Sequence, residues 1–247
     1  MATPYPNPPL LEAVFELFVA GDGLDWSTET TGQIEGLLAE QFDGPRETIR
    51  PTGLQIQLSP EGVGAQSLQP EPDRRRLWTS DRGEMFQFSP AMCAYNLLGH
   101  YRTFEQHART LESLVRLFLE HRQPKEIAWA GQRYVNRIVV PAGAGDPATF
   151  FEIYPKVPAG QHRQFAMQIL SGEFEGGQVM LNLVFQGEQE GMASYVLDIY
   201  ARSSVVLKPE PAGILRWHEA AHVMVRRSFE NALTAKTKAL FQEGATR

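Results

Sequence analysis

The sequence predicts an α+β fold in which antiparallel β-meanders are covered on one face by long helices, laid out as two similar halves. Three observations lead there. Strand-like segments come in runs instead of alternating with helices, which favours antiparallel over parallel pairing. Each run is followed by a single long amphipathic helix. Clusters of Gly, Pro, Asp and Asn between strands supply tight turns. The halves are residues 1–125, an α+β segment, and 126–247, a meander with a long helix; they form one compact unit, and no residue-level repeat relates them.

The apolar run Leu10–Val19 is too short for a capped buried helix and stops at Gly21-Asp22-Gly23, so it reads as a mostly buried strand. Ser27 or Thr28 then caps a helix with Ile34, Leu37, Leu38 and Phe42 at helical spacing, ended by Gly44-Pro45. Leu54, Ile56 and Leu58 alternate with Gln55 and Gln57, the period of a strand with one wet face. Residues 76–80 and 84–88 flank Asp81-Arg82-Gly83, which suits a hairpin whose turn ends in a left-handed glycine. Thr103 and Gln106 form a capping box for a helix with the apolar stripe Phe104, Ala108, Leu111, Val115 and Phe118, which stops before Pro124. From Ile127 strands return: WAGQRYVNRIVVP, TFFEIYPKVP, FAMQILSGEF, QVMLNLVFQ and ASYVLDIYARS, an antiparallel meander. In the last of these Tyr195, Leu197 and Ile199 face one way, and Ser194, Asp198 and Tyr200 the other. A single helix over about 211–242 closes the chain.

With 247 residues, 43% hydrophobic and 21% charged, the chain buries a large core, which excludes disorder. No stretch reaches the roughly 18 to 20 apolar residues of a membrane span, and MATPYPNPPLLEAVF has neither a basic segment nor a small-residue cleavage site, so the chain reads as cytoplasmic. Its one cysteine, Cys93, excludes intrachain disulfides and cysteine-built zinc sites. Lys+Arg 23 against Asp+Glu 29 gives a net charge of −6, without the basic field that non-specific nucleic-acid binding needs.

One motif carries recognisable chemistry. Trp217-His218-Glu219-Ala220-Ala221-His222 matches H-E-x-x-H, in which two histidines one helical turn apart reach one zinc ion and the intervening glutamate acts as general base on zinc-bound water. The third ligand would be Glu243, or Glu230 on the same helix, but Glu230 faces away and Glu243 lies in the last residues. Arg216, two residues before His218, is out of place on a helix buried around a metal. A plainer reading covers the same residues: Leu215, His218, His222, Val225, Phe229, Leu233 and Leu240 follow three- and four-residue steps with one gap, so both histidines lie on the core-facing stripe.

Weaker candidates surround it. Asp198, Tyr200 and Glu152 could bring a carboxylate to the helix histidines. Asn136 and Arg137 interrupt an apolar run, so one of them points inward, with Arg137 pairing a carboxylate such as Asp198. Arg74-Arg75-Arg76 could contact phosphate, but the acids Glu71, Asp73 and Asp81 around it favour a solvated face. Cys93 has no basic neighbour and reads as inert.

Pro6-Asn7-Pro8-Pro9-Leu10-Leu11-Glu12-Ala13-Val14-Phe15-Glu16-Leu17, Tyr134-Val135-Asn136-Arg137-Ile138, Leu197-Asp198-Ile199 and the closing helix with Leu215, His218, Phe229, Leu233 and Thr234 resemble the marks of a sporadically distributed, uncharacterised bacterial protein family of about this length. The resemblance spans essentially the whole chain. It implies no established activity, and its patchy occurrence implies mobile or accessory loci. It also implies that His218 is a fixed position while Glu219 and His222 are not, which makes the H-E-x-x-H match accidental. Asn136, Arg137, Asp198 and His218 would then form an inward polar network tying meander to helix.

These readings favour a non-enzymatic protein-binding or regulatory accessory factor, of a mobile or defence-type locus, that uses sheet surface or loops. Its partner is another protein, self-association included, with neither membrane nor nucleic acid and no cofactor. The proline-rich arm Tyr5, Pro6, Pro8 and Pro9 would lie on a neighbouring subunit or on the chain's own sheet, and Trp129, Tyr134 and Tyr154 could anchor a partner. Two alternatives are a zinc-dependent hydrolase built on His218, His222 and Glu219, and a small-molecule sensor with a pocket lined by Trp217, Met180, Phe185 and Tyr195.

Overall fold

A computed structural model describes residues 5–19, 26–50, 54–59, 62–67, 72–99, 101, 103–142, 147–154, 166–174 and 176–242. In chain order the elements are β1 (Leu10–Val19), α1 (Thr28–Leu37), β2 (Arg46–Ile49), β3 (Leu54–Ser59), β4 (Gly62–Ser67), β5 (Arg74–Trp78), β6 (Glu84–Ser89), β7 (Met92–Leu98), α2 (Phe104–Arg122), β8 (Ile127–Pro141), β9 (Ala166–Phe174), β10 (Gly177–Gln189), β11 (Met192–Ser203), α3 (Pro211–Ala232) and α4 (Ala235–Gln242). Nine strands form one antiparallel sheet in the order β2-β5-β6-β7-β1-β8-β11-β10-β9, and β3 pairs with β4. The fold is therefore α+β. No described helix is long and apolar enough to cross a membrane.

The apolar run at the start of the chain forms β1, which is hydrogen-bonded on both sides, to β7 and to β8. That central position explains its near-continuous hydrophobicity. Alternation divides its side chains into two sets. Ala13, Phe15 and Leu17 share a face with Cys93, Tyr95 and Leu97 of β7, with Ala130, Gln132 and Tyr134 of β8, and through β8 with Leu197, Ile199 and Ala201 of β11. We call this the first face. On the second face stand Val14, Glu16 and Phe18, then Asn96, Ala94 and Met92, then Arg133, Gly131 and Trp129, and beyond them Asp198, Tyr200 and Arg202. The helix side chains Phe104, His218 and His222 meet Phe15 and Tyr134, residues of the first face.

The caps follow the sequence. Ser27 accepts from the Thr30 N–H at the start of α1, and Thr103 accepts from the Gln106 N–H at the start of α2. α2 ends at Gln123, which takes the left-handed conformation ahead of Pro124. Its buried side is Phe104, Leu111, Leu114, Val115, Phe118 and Leu119.

Several expectations need correction. α1 stops at Leu37, well before Gly44, and Phe42 is buried from the turns that follow. In the β5–β6 hairpin the left-handed residue is Arg82 (φ 55°), not Gly83, because Asp81 Oδ1 accepts from the Gly83 N–H and holds the turn one residue earlier. β7 carries no sequence period, because Met92–Asn96 are buried without alternation. The stretch expected as a strand at 149–158 holds a short 3₁₀ turn, Pro147–Thr149, and an isolated bridge from Phe151 to Leu233; its residues 155–158 lie outside the described residues. The closing helix is two. Leu233 is extended (φ −113°, ψ 139°), and Thr234 starts α4 with its hydroxyl donating to Thr149 O while Thr237 donates to Phe150 O. The main-chain groups freed at the break are taken up by the same segment, the Thr234 N–H donating to Phe150 O and Ala232 O accepting from the Glu152 N–H.

The proline-rich arm packs on its own chain: its start lies against α3 and α4, and its end meets the sheet, where Pro9 O accepts from the Arg137 N–H of β8. The Tyr5 ring meets Phe229 and Phe241 edge-on at 6.3 and 5.5 Å, its hydroxyl donates to Glu230 at 3.0 Å, and the Asn7 N–H donates to Phe241 O.

Candidate functional site

His218 and His222 lie on the sheet-facing side of α3, and Glu219 is exposed to solvent. A helical turn advances about 5.4 Å and two strand residues about 6.7 Å, so histidines at i and i+4 match strand side chains at i and i+2. The strand side chains are Gln132 and Tyr134 of β8. His218 Nδ1 lies 3.2 Å from Gln132 Oε1 and His222 Nδ1 lies 2.8 Å from Tyr134 Oη. Gln132 Nε2 donates to Tyr134 Oη at 3.0 Å, and Tyr101 Oη completes the chain at 2.7 Å from Tyr134. With Gln132 oriented so, His218 donates from Nδ1, while Tyr134, accepting from Gln132, donates its one proton to either Tyr101 or His222.

The nitrogens that converge are thus the two Nδ1 atoms, and an amide and a hydroxyl fill the space between them. His218 is fully buried between the edges of Phe15 and Trp217, its Nε2 has no partner, and burial alone drives its pKa down to about 3. His222 stacks on Phe104, and burial lowers its pKa too, against Glu105, which raises it, and with Arg226, which lowers it further. Among the described residues no three His, Cys, Asp or Glu side chains are placed to hold a metal. Glu230 is turned to Tyr5 and Lys238, Arg216 is exposed, and Glu243 lies outside the described residues.

The network expected from Asn136, Arg137, Asp198 and His218 does not form. Alternation along β8 separates its members. Asn136, on the first face, donates to the carbonyls of Tyr134 and Leu197 and is spent on strand backbone. Asp198 and Arg137 are on the second face, across the sheet from His218. Asp198 pairs with Arg133, not Arg137: Arg133 Nε and Nη2 each donate to it at 2.8 Å, while Arg137 Nε donates to Ser194 Oγ. Tyr200 also belongs to the second face, and Glu152 sits beside the α3–α4 break, its N–H donating to Ala232 O.

That second face carries a series of polar side chains the sequence did not announce. Across β5, β6, β7 and β1, Arg76 Nε donates to Gln87, Gln87 to Asn96 and Asn96 to Glu12. Across β8, β11, β10 and β9, Arg133 donates to Asp198, which also accepts from Asn182, whose own oxygen accepts from Gln168. Between the two series Tyr200 donates to Glu16 at 2.8 Å. Those residues sit on β11 and β1, two strands apart, and meet above Gly131 of β8, where a Cβ would fall 2.6 Å from Glu16 Oε1 and 2.7 Å from Tyr200 Oη. Burial raises the Glu16 pKa, opposed by the Tyr200 hydrogen bond and the charges of Arg133, Arg74 and Arg202. Tyr200 is raised by burial and then by Glu16 itself. Next to this pair Trp129 is sandwiched by Phe18, stacked at 3.8 Å, and the Arg202 guanidinium at 4.5 Å.

The remaining candidates are structural or divided between faces. Arg75 bonds Glu35 of α1 and Thr48, whereas Arg76 points to Gln87, so the arginine triplet is split by strand alternation. Cys93 is buried with its pKa raised by burial. Met180 is paired with Tyr200 on the second face while Trp217, Phe185 and Tyr195 belong to the first, so the four do not enclose one pocket. Tyr134 is buried in the core. No family model and no curated protein matches the chain.

Proposed function

We propose that the protein is a non-enzymatic binding protein, an accessory or regulatory factor, that engages another protein through the second face of its sheet. On this reading the long helices cover the first face and leave the second to the partner. The supporting observation is the polar series on that face. Arg76, Glu12, Arg133, Asn182 and Gln168 reach the surface and are held there through the buried Gln87, Asn96 and Asp198, as a preorganised surface requires. Fixed side chains bind with less loss of rotamer entropy, and half-buried Phe18 and Trp129 with the exposed Arg202 supply the aromatic and guanidinium character typical of interface hot spots. The test is affinity capture from native lysate with wild type, a Trp129→Ala variant, and Val223→Asp on the exposed side of α3. A specific protein lost with Trp129→Ala and kept with Val223→Asp supports the reading; one lost only with Val223→Asp refutes it.

A further inference from the structure

β9 is an end strand of the nine-stranded sheet: its inner edge pairs with β10, and among the described residues no strand pairs with its outer edge. The register to β10 runs unbroken from Ala166 opposite Val184 to Leu170 opposite Met180, then skips Ser171 before Gly172 meets Val179. The regular part of the strand is therefore residues 166–170, with Gln168 in the middle. Nothing in it blunts the edge, for it has no charge and no proline, and Leu170 is 58% exposed. The opposite end of the sheet is defended: β2 is only four residues long and carries Arg46 and Glu47.

Gln168, Ala166 and Leu170 stand on the second face, opposite Asn182, Val184 and Met180, while Met167 and Ile169 stand on the first, opposite Leu183 and Leu181. The polar row of Arg133, Asp198 and Asn182 thus ends at Gln168. Its bonding direction is set by the carboxylate. Asp198 accepts from Asn182 Nδ2, which leaves Asn182 Oδ1 to accept from Gln168 Nε2. The Gln168 amide keeps its Oε1 and a second N–H, and among the described residues neither is taken. An acceptor and a donor side by side on one amide complement an identical amide rotated by half a turn. Beside this row the aliphatic series Val196, Val184 and Ala166 ends on the edge in its smallest side chain, and the exposed Leu170 stands four residues along.

Opposed residues of an antiparallel pair share a face, so a two-fold axis relating two copies of β9 passes through a residue and not between residues. Placed on Gln168, it sets that residue against its own copy, Met167 against Ile169 and Ala166 against Leu170, so that the large side chain meets the small one and apolar meets apolar. Moved one residue either way, it sets the Gln168 amide against Leu170 or Ala166.

We propose that β9 is a dimerisation edge, to which a second copy of this chain adds its own β9 antiparallel about a two-fold axis through Gln168. The two Gln168 amides exchange hydrogen bonds and join the polar rows of the two copies, and Leu170 of each copy covers Ala166 of the other and extends its aliphatic series. With no charge in residues 166–170, no like charges are brought opposite one another. The contact uses the edge of the sheet and stands apart from the partner surface around Trp129.

The test is sedimentation of the full, untagged chain over a range of concentrations. Because the paired stretch is short, wild type is expected to dimerise reversibly with a Kd of about 10 to 100 µM. Gln168→Glu and Gln168→Lys each set like charges against each other across the axis, and each alone should weaken self-association roughly tenfold or more, whereas an equimolar mixture of the two should form a heterodimer about as tight as the wild-type dimer. Leu170→Asp should weaken it roughly fivefold or more. Gln168 and Leu170 are exposed, so all three variants should melt with wild type in dilute solution. A wild type that stays monomeric up to about 1 mM overturns the proposal. So does a dimer unmoved by the three substitutions, or a mixture of folded Gln168→Glu and Gln168→Lys chains that fails to associate.

Discussion

Glu16 and Tyr200 are hydrogen-bonded across an intervening strand, and the residue between them, Gly131, is the reason they can be. Cross-strand pairs ordinarily join adjacent strands, about 4.8 Å apart; here the partners are two strands apart and a missing side chain supplies the gap. Gly131→Ala is expected to cost about 1 to 2 kcal/mol, because the new methyl must displace the ends of both side chains. In a Tyr200→Phe background the same substitution should cost less, and the coupling in a denaturant double-mutant cycle measures that.

The buried Glu16 carboxyl makes stability fall as pH rises. Its folded pKa is above the usual carboxylate value, so between the two values the folded state holds the proton that the unfolded state has released. The contribution is present below the unfolded value and is lost as pH rises through the folded one. Glu16→Gln should therefore gain in melting temperature relative to wild type as pH is raised from about 4 to 7. A constant difference across that range would show that Glu16 titrates normally.

His218 acts in the opposite direction. With its folded pKa near 3 against the ordinary 6.5, it stays neutral while the unfolded chain takes up a proton, so its stabilising contribution is present above about 6.5 and is lost as pH falls toward 3. His222, also lowered by burial, adds to the same slope. Each histidine contributes at most about 1.4 kcal/mol per pH unit. His218→Gln should flatten the stability profile over that window in chemical denaturation at a series of pH values.

Tyr5 holds the N-terminal arm to the last two helices, and burial together with its bond to Glu230 raises its pKa to about 12. Tyr5→Phe is expected to cost about 1 kcal/mol and Tyr5→Ala about 3. Limited proteolysis should release the arm of the alanine variant first, before global unfolding.

The Cys93 thiol should resist an aromatic disulfide reagent in the native state and react fully once the chain is unfolded, since it is buried and its pKa is raised.

Much of the fold could be read from local pattern. Leu10–Val19 announced β1 by apolarity, Thr103 and Gln106 announced the start of α2, and the inside-outside assignment of Tyr195, Leu197 and Ile199 against Asp198 and Tyr200 follows from period two alone. Where packing overrides local pattern, reading failed. β7 has no wet face, and the α3–α4 break depends on Thr149 and Phe150, residues more than 80 positions away in sequence. The site was harder still. H-E-x-x-H drew the eye because its chemistry is familiar, yet its histidines clasp Gln132 and Tyr134, two residues with no motif. Arg133 and not Arg137 takes Asp198, a choice set by side-chain reach within one face, and Glu16–Tyr200 depends on a glycine whose role only register shows.

The place of β1 has a bearing on synthesis. Its partners on one side, β7 and the strands beyond it, all precede residue 100, but its other partner, β8, starts at Ile127. Between those points α2 is made, and a ribosome-bound chain that has assembled its first strands carries a bare ten-residue edge of apolar sequence, Leu10–Val19, open to any other strand. The central seam of the mature sheet is thus the exposed margin of the nascent one, and how promptly β8 arrives decides whether that margin is closed by its own chain or by a neighbour's.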